Sequence, residues 1–292
     1  MLVLNNQAQQ LAECNENYKV AGNTLPCKPN QLSLGDSTVE IRVYTKKLPN
    51  QTFNKTFAVV HNDEQTGLNA VKEVISQKGG RLVEVVSKNK SRYLSLKLAG
   101  KTICIDPNRI YTDEGIKADL QDKMRGCKYL TEEEAKKETN IAPVRTFAQN
   151  LQNIIQDKGN SNYKFIVAVH NNDPGGCLTF EVFSKSFLCD KKSVKQTEKV
   201  LESTPKDNID NFIIVTTPTL FDALKNKGFH LVLQVGKEKL TGDANDGSMS
   251  VYASLNDLRY IVLETQCKSN GAECKKFKDR QKEMIGAVLP MQ

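Results

Sequence analysis

The chain predicts an α/β fold in a single domain. Short apolar runs rich in β-branched residues alternate with stretches of helical apolar spacing, which is the pattern of strands covered by helices. The 292 residues would fill one large domain or two small ones, and no convincing linker, internal repeat or low-complexity segment divides them. Hydrophobic residues at 39% and charged residues at 26% are the balance of an ordinary globular protein. No apolar run approaches the ~18 residues of a membrane span.

Residues 1–36 are polar and punctuated by Gly22, Pro26, Pro29 and Gly35, so they read as an irregular N-terminal arm ahead of a domain over 37–292. Val39, Ile41 and Val43 alternate with charged residues as in a half-exposed strand, and a turn at 48–51 leads to a buried strand over 57–60. From Glu64 onward Leu68, Val71, Val74 and Ile75 recur at helical spacing until Gly79-Gly80 ends the helix. A strand over 81–86 follows, then a hairpin of 93–98 and 102–105 around Gly100. Helices are expected over 115–123 and 131–157, the second opened by the capping box Thr131-Glu132-Glu133-Glu134 and kinked or broken at Pro143. Further strands are expected over 163–169, 178–183, 212–215, 229–235, 249–253 and 259–263. A Lys-rich surface excursion over 189–211, a short helix over 220–226 and a final helix over 273–289 complete the chain.

The candidate chemistry gathers where strands end. His61 and Glu64 stand between a buried strand and a helix, and a separation of three lets an imidazole and a carboxylate meet at one point, as metal ligands do. The same spacing also suits a polar turn with a capping acid. Asp106-Pro107-Asn108-Arg109 follows the hairpin, and the planar fork of Arg109 suits a carboxylate, whether that of a ligand or of a structural acid. His170 closes the strand over 163–169, and Glu264 follows the run Tyr260-Ile261-Val262-Leu263. The third histidine, His230, lies within a strand pattern and reads as structural. Tyr252 reads as a packing aromatic, and Asp243 to Ser248 as a turn with too few ligands at the right spacing for calcium.

The formal charge of +7 comes from 41 Lys and Arg spread among 34 acids, without an aromatic-interleaved basic block, so no nucleic-acid partner is expected. The charge favours an acidic substrate or an anionic surface. The cysteines group by proximity as 14/27, 104/127, 177/189 and 267/274, none forms C-x-x-C, and sequons stand at Asn50, Asn54 and Asn89. Together these favour a secreted or extracytoplasmic protein. Residues 1–13 lack the basic start and long apolar centre of a signal peptide, so the alternatives are a cytoplasmic protein or one whose signal was removed and Met1 added.

In their order, His61 with Glu64, then Asn108-Arg109, then His170, then Glu264 resemble the zinc carboxypeptidase superfamily, which includes carboxypeptidase A-like peptidases and the aspartoacylase or succinylglutamate desuccinylase branch. The resemblance spans residues 55–266. His61-Asn62-Asp63-Glu64 to Gly67 is similar to H-G-N-E-x-x-G with Asn-Asp in place of Gly-Asn, Asp106 to Arg109 is similar to D-x-N-R, and the step from His170 to Glu264 is longer than in the family. The resemblance implies a mixed, largely parallel sheet flanked by helices, and a zinc ion on His61, Glu64 and His170. It also implies Glu264 as general base, and Asn108 and Arg109 as anchors of a substrate carboxylate. The implied reaction is cleavage of an amide bond next to a free carboxylate, by a metallo-carboxypeptidase on short or cell-wall-type peptides. The alternatives are an N-acyl amino-acid deacylase and an inert secreted binding protein of the same fold.

Overall fold

Four central strands run parallel, and each carries the near-continuous apolar run that burial on both faces requires. The computed structural model describes residues 14–49, 54–123, 125–158, 165–172, 178–184, 195–204, 206–267 and 274–291. A ribbon of β1 (Lys19–Val20) and β2 (Asn23–Thr24) comes first, then β3 (Cys27–Leu34), β4 (Ser37–Lys46), β5 (Lys55–Val59) and β6 (Gly80–Val86). The hairpin β7 (Leu94–Leu98) and β8 (Lys101–Ile105) is followed by β9 (Phe165–Asn172), β10 (Thr197–Leu201), β11 (Phe212–Val215), β12 (His230–Gln234) and β13 (Arg259–Gln266). One sheet has the order β10-β12-β11-β13-β9-β5-β6-β4-β3. The parallel centre is β13, β9, β5 and β6; β4 and β3 run antiparallel on one flank, and β11 reverses direction on the other. The sheet is therefore mixed, with its parallel strands in the middle.

The helices are α1 (Gln65–Lys78), α2 (Asp113–Leu120), α3 (Glu132–Ala135), α4 (Glu138–Ile155), α5 (Phe180–Ser184), α6 (Pro218–Leu224), α7 (Met249–Leu255) and α8 (Lys275–Val288). Alternate strand residues feed two separate cores, because successive side chains point to opposite faces. Leu68, Val71 and Ile75 of α1, with Leu224 of α6 and Ile285 of α8, pack on one face against Phe57, Val167 and Ile261. Ile116, Phe147 and Leu151 of α2 and α4, with Leu96 and Ile105 of the hairpin, pack on the other against Ala58, Ala168 and Tyr260. No helix among the described residues is long and apolar enough to cross a membrane.

Several elements depart from expectation. Residues 249–253 form helix, not strand: Met249, Val251 and Ala253 are buried, but Ser248 accepts a hydrogen bond from Val251 N at 3.3 Å and caps α7. Residues 180–184 are likewise helical, overlapping the expected strand over 178–183. The arm over 1–36 is not irregular throughout, since Cys27–Leu34 pairs with β4 as an edge strand, a position where Pro29 costs no interior ladder bond. The surface excursion over 189–211 contributes β10, paired with β12. The long helix over 131–157 breaks at Lys136-Lys137, between α3 and α4; Pro143 lies inside α4.

Cys14–Cys27, Cys104–Cys127 and Cys267–Cys274 form disulfides, while the expected pair Cys177 and Cys189 lies outside the described residues. A thiol titration under denaturing, non-reducing conditions is therefore expected to find at most two of the eight cysteines free. Finding eight would contradict these bridges.

Candidate metal centre

The centre forms at the carboxyl ends of the parallel strands, where open α/β sheets assemble their sites, with His61 just past β5 and His170 inside the end of β9, which runs beyond the expected strand over 163–169. β5 ends at Val59, and His61 follows in a turn closed by Glu64 N donating to His61 O at 3.2 Å. Gln65 Nε2 donates to Asn62 O at 2.6 Å, and Asn62 Nδ2 donates to the buried Glu84 at 3.3 Å, so the turn is fastened on both sides. Glu64 takes the N-cap position of α1 without capping it. Its carboxylate reaches the two histidines, with Oε1 at 2.8 Å from His61 Nδ1 and Oε2 at 2.9 Å from His170 Nδ1. All three residues are buried, and one ligand atom from each lies within 4.8 Å of the others.

The donor set fits a divalent transition metal. Two imidazole nitrogens and a carboxylate oxygen converge, and the far nitrogen of His61, Nε2, stands 2.7 Å from Asp106 Oδ1, the partner that fixes ring orientation in metal sites. His170 Nε2 is buried without a hydrogen-bond partner among the described residues, so the ring's polar contact is made at Nδ1.

A chain of charges supports the centre. Arg92 pairs with Glu64 at 3.0 Å and with Asp106 at 3.3 Å, its side chain 30% exposed. Asp119 accepts from Asp106 N at 3.0 Å and pairs with Arg125, which also donates to Cys104 O at 3.3 Å. Burial opposes charge on Glu64, but His61 and His170 hold its pKa far below the usual carboxylate range. Burial likewise works against Asp106, which His61 and Arg92 hold well below that range. Burial pulls His61 down, and Asp106 with Glu64 outweighs it, so the imidazole stays above its ordinary value. Asp119 is pushed up to about 6 by burial, against the pull of Arg125.

His61, Glu64 and His170 thus lie together. Glu264 lies directly beside His170 in the β13–β9 register, on the face shared with Tyr260 and Val262, and is 5% exposed. Asn108 and Arg109 adjoin Asp106, but their side chains turn to the loop before α7. Asn108 Oδ1 accepts from Met249 N at 3.2 Å, and the half-exposed Arg109 pairs with Asp246. Gly247 and Gly115 allow this approach, because a Cβ on Gly247 would meet the carbonyl oxygen of Arg109 and the Cα of Gly115, and Gly247 has φ +73°. Away from the centre, His230 accepts from Ser203 N at 3.0 Å and stacks on Phe180, and Tyr252 lies beside Tyr111. The sequence did not single out Arg92 or the tie of Asp106 to His61. Asp106 stood in the D-x-N-R run; Arg92 belongs to no such motif, and its partners are 28 and 14 residues away.

No protein-family model matches the sequence, and no curated protein matches it. Solved structures do resemble the chain. The succinylglutamate desuccinylase from Chromobacterium violaceum is 11% identical, with a TM-score of 0.45 over 90% of this chain and 70% of that one. A Shewanella baltica protein provisionally assigned as a metallopeptidase is 11% identical, with a TM-score of 0.40 over 89% and 85%. A cell shape determinant protein from Helicobacter pylori is 11% identical, with a TM-score of 0.42 over 85% and 55%. At these identities and scores the likeness carries no residue role or activity to this chain.

The charge pattern sets a pH dependence for the metal-free protein. Glu64 and Asp106, held low, stabilise the fold above about pH 4 and lose that contribution as pH falls through their folded pKa values. His61, held high, stabilises below about pH 6.5 and loses its contribution as pH rises through its folded pKa. Urea denaturation of metal-free wild type and Asp106→Asn is therefore expected to show the widest stability gap between about pH 4.5 and 6.5, narrowing on both sides. A gap independent of pH would mean that the His61–Asp106 pair is not charged.

Proposed function

We propose that the protein is a zinc-dependent hydrolase that cleaves an amide bond next to a free carboxylate, most simply a metallo-carboxypeptidase acting on short or cell-wall-type peptides. The observation that carries this reading is the convergence of His61 Nδ1, the Glu64 carboxylate and His170 Nδ1, with His61 Nε2 held on Asp106. Two imidazoles and one carboxylate are a catalytic zinc set, and zinc bound there supplies Lewis acidity, acidifying water and polarising the scissile carbonyl.

The chain's own groups divide the remaining work. Glu264, in register with His170, takes the proton of the attacking water on its carboxylate and returns it to the departing amine. Arg92 lends positive charge beside the metal ligands, where the carbonyl oxygen becomes negative in the transition state. Asn108 and Arg109 hold the substrate's carboxylate. For this role the half-exposed fork of Arg109 exchanges Asp246 for the substrate's carboxylate, and Asn108 leaves Met249 N. The net charge of +7 adds long-range attraction for an anionic substrate. An N-acyl amino-acid deacylase would use the same groups. Competent residues at every metal and base position favour an enzyme over an inert binding protein, and three disulfides favour an extracytoplasmic setting.

Purified wild type is expected to hold one zinc per chain and to hydrolyse peptides with a free C-terminus in preference to amidated ones; preference for N-acyl amino acids would select the deacylase instead. Glu264→Gln should keep zinc and fold while turnover falls on the order of 10²-fold or more. Near-normal turnover in that variant would move the base to another carboxylate, with Asp63 the first to test.

A further inference from the structure

The N-terminus of α1 is capped from another strand. Glu64 occupies the N-cap position, yet it makes no capping bond, because both of its oxygens face histidines. An uncapped helix leaves its first amides without partners. One of these, Gly67 N, donates instead to Asn171 Oδ1 at 2.7 Å. Asn171 directly follows His170 in β9, and its side chain points to the opposite face of the sheet.

Donor and acceptor roles around Asn171 leave one consistent assignment. Gly67 N–H can only donate, which fixes Oδ1 toward it. Asn171 Nδ2 then donates to Thr265 Oγ1 at 2.8 Å and to Gln281 Oε1 at 2.9 Å, and Thr265 Oγ1 donates to Gln281 Oε1 at 2.7 Å. Gln281, fully buried on α8, donates through Nε2 to the backbone oxygen of His170 at 3.0 Å. The group is buried and closes on itself, gripping α1, β9, β13 and α8 at once. Gly67 completes the fit: a Cβ there would lie 2.9 Å from Val169 Cγ1 and 3.0 Å from Asn171 Oδ1.

We propose that Asn171 is a positioning residue that caps α1 in place of Glu64, and so sets the spacing between Glu64 on the helix and His170 on the strand. The inference rests on the metal reading of the centre. Glu64 is free to act as a ligand because another side chain does its capping, and that side chain is one residue from the second histidine. Helix and strand are thereby locked together at the point where each presents a ligand.

Two measurements test it: zinc affinity by chelator competition, and hydrogen exchange of the Gly67 amide in metal-free protein. Asn171→Ala is expected to speed Gly67 exchange about 10-fold or more and to weaken zinc binding ~10–100-fold, the range for outer-shell partners. Gly67→Ala, which pushes the helix away from the other side, should weaken zinc in the same way and serves if Asn171→Ala does not fold. Thr265→Val breaks the same buried group but leaves Asn171 on Gly67, so its zinc affinity should stay within about threefold of wild type. A merely structural group would lower thermal stability in all three variants and leave zinc affinity alone. Wild-type affinity in Asn171→Ala, or an equal loss in Thr265→Val, overturns the proposal. A wild type that takes no zinc overturns the metal reading and this proposal with it, and the wild-type titration tells that failure apart.

Discussion

The carboxylate of Glu64, 1% exposed and set between two imidazoles, is the interaction on which the centre depends. A buried carboxylate is costly unless charge and hydrogen bonds surround it. The structure meets that cost in successive layers: His61 and His170 on its two oxygens, Arg92 across Glu64 and Asp106, then Asp119 behind Asp106 and Arg125 behind Asp119. Arg92 offsets the charge of Glu64 and Asp106, and Arg125 offsets that of Asp119, which accepts from the Asp106 backbone N–H. The Cys104–Cys127 bridge closes the segment that carries Arg125, so the outermost layer is held covalently.

The sheet separates chemistry from packing by the simple alternation of its strands. His170 and Glu264, register partners on β9 and β13, face the side of the hairpin and α4. Their successors Asn171 and Thr265, also partners, face α1 and α8. A one-residue slip between these strands would separate both pairs at once. The two buried polar groups therefore reinforce a single register.

Much of this was legible in the sequence because it is local. The buried runs at 57–60 and 212–215, the helical spacing after Glu64 and the Thr131 capping box each report on a few neighbouring residues, and each formed as expected. His61 and His170 were legible because a lone histidine at the end of an apolar strand is conspicuous. The misreadings came where two local patterns overlap. Met249, Val251 and Ala253 alternate like a strand, and only the cap by Ser248 separates that from a buried helix. Cys27–Leu34 looks irregular because an edge strand with one solvated face needs little apolar content. Arg92 was illegible for another reason: its meaning lies entirely in Glu64 and Asp106, which the fold brings to it from elsewhere.

The separations within the centre also bear on how the protein matures. His170 is 106 residues from Glu64, and Asp106 is 45 from His61, so the site exists only after β5 and β9 have paired. Contacts this distant in sequence close late, since their loop entropy must be met before they contribute. Only His61 and Glu64, three residues apart, can meet before then. Hydrophobic burial on the two faces of the sheet therefore has to set the topology first, and the buried charges of the centre are brought together by it.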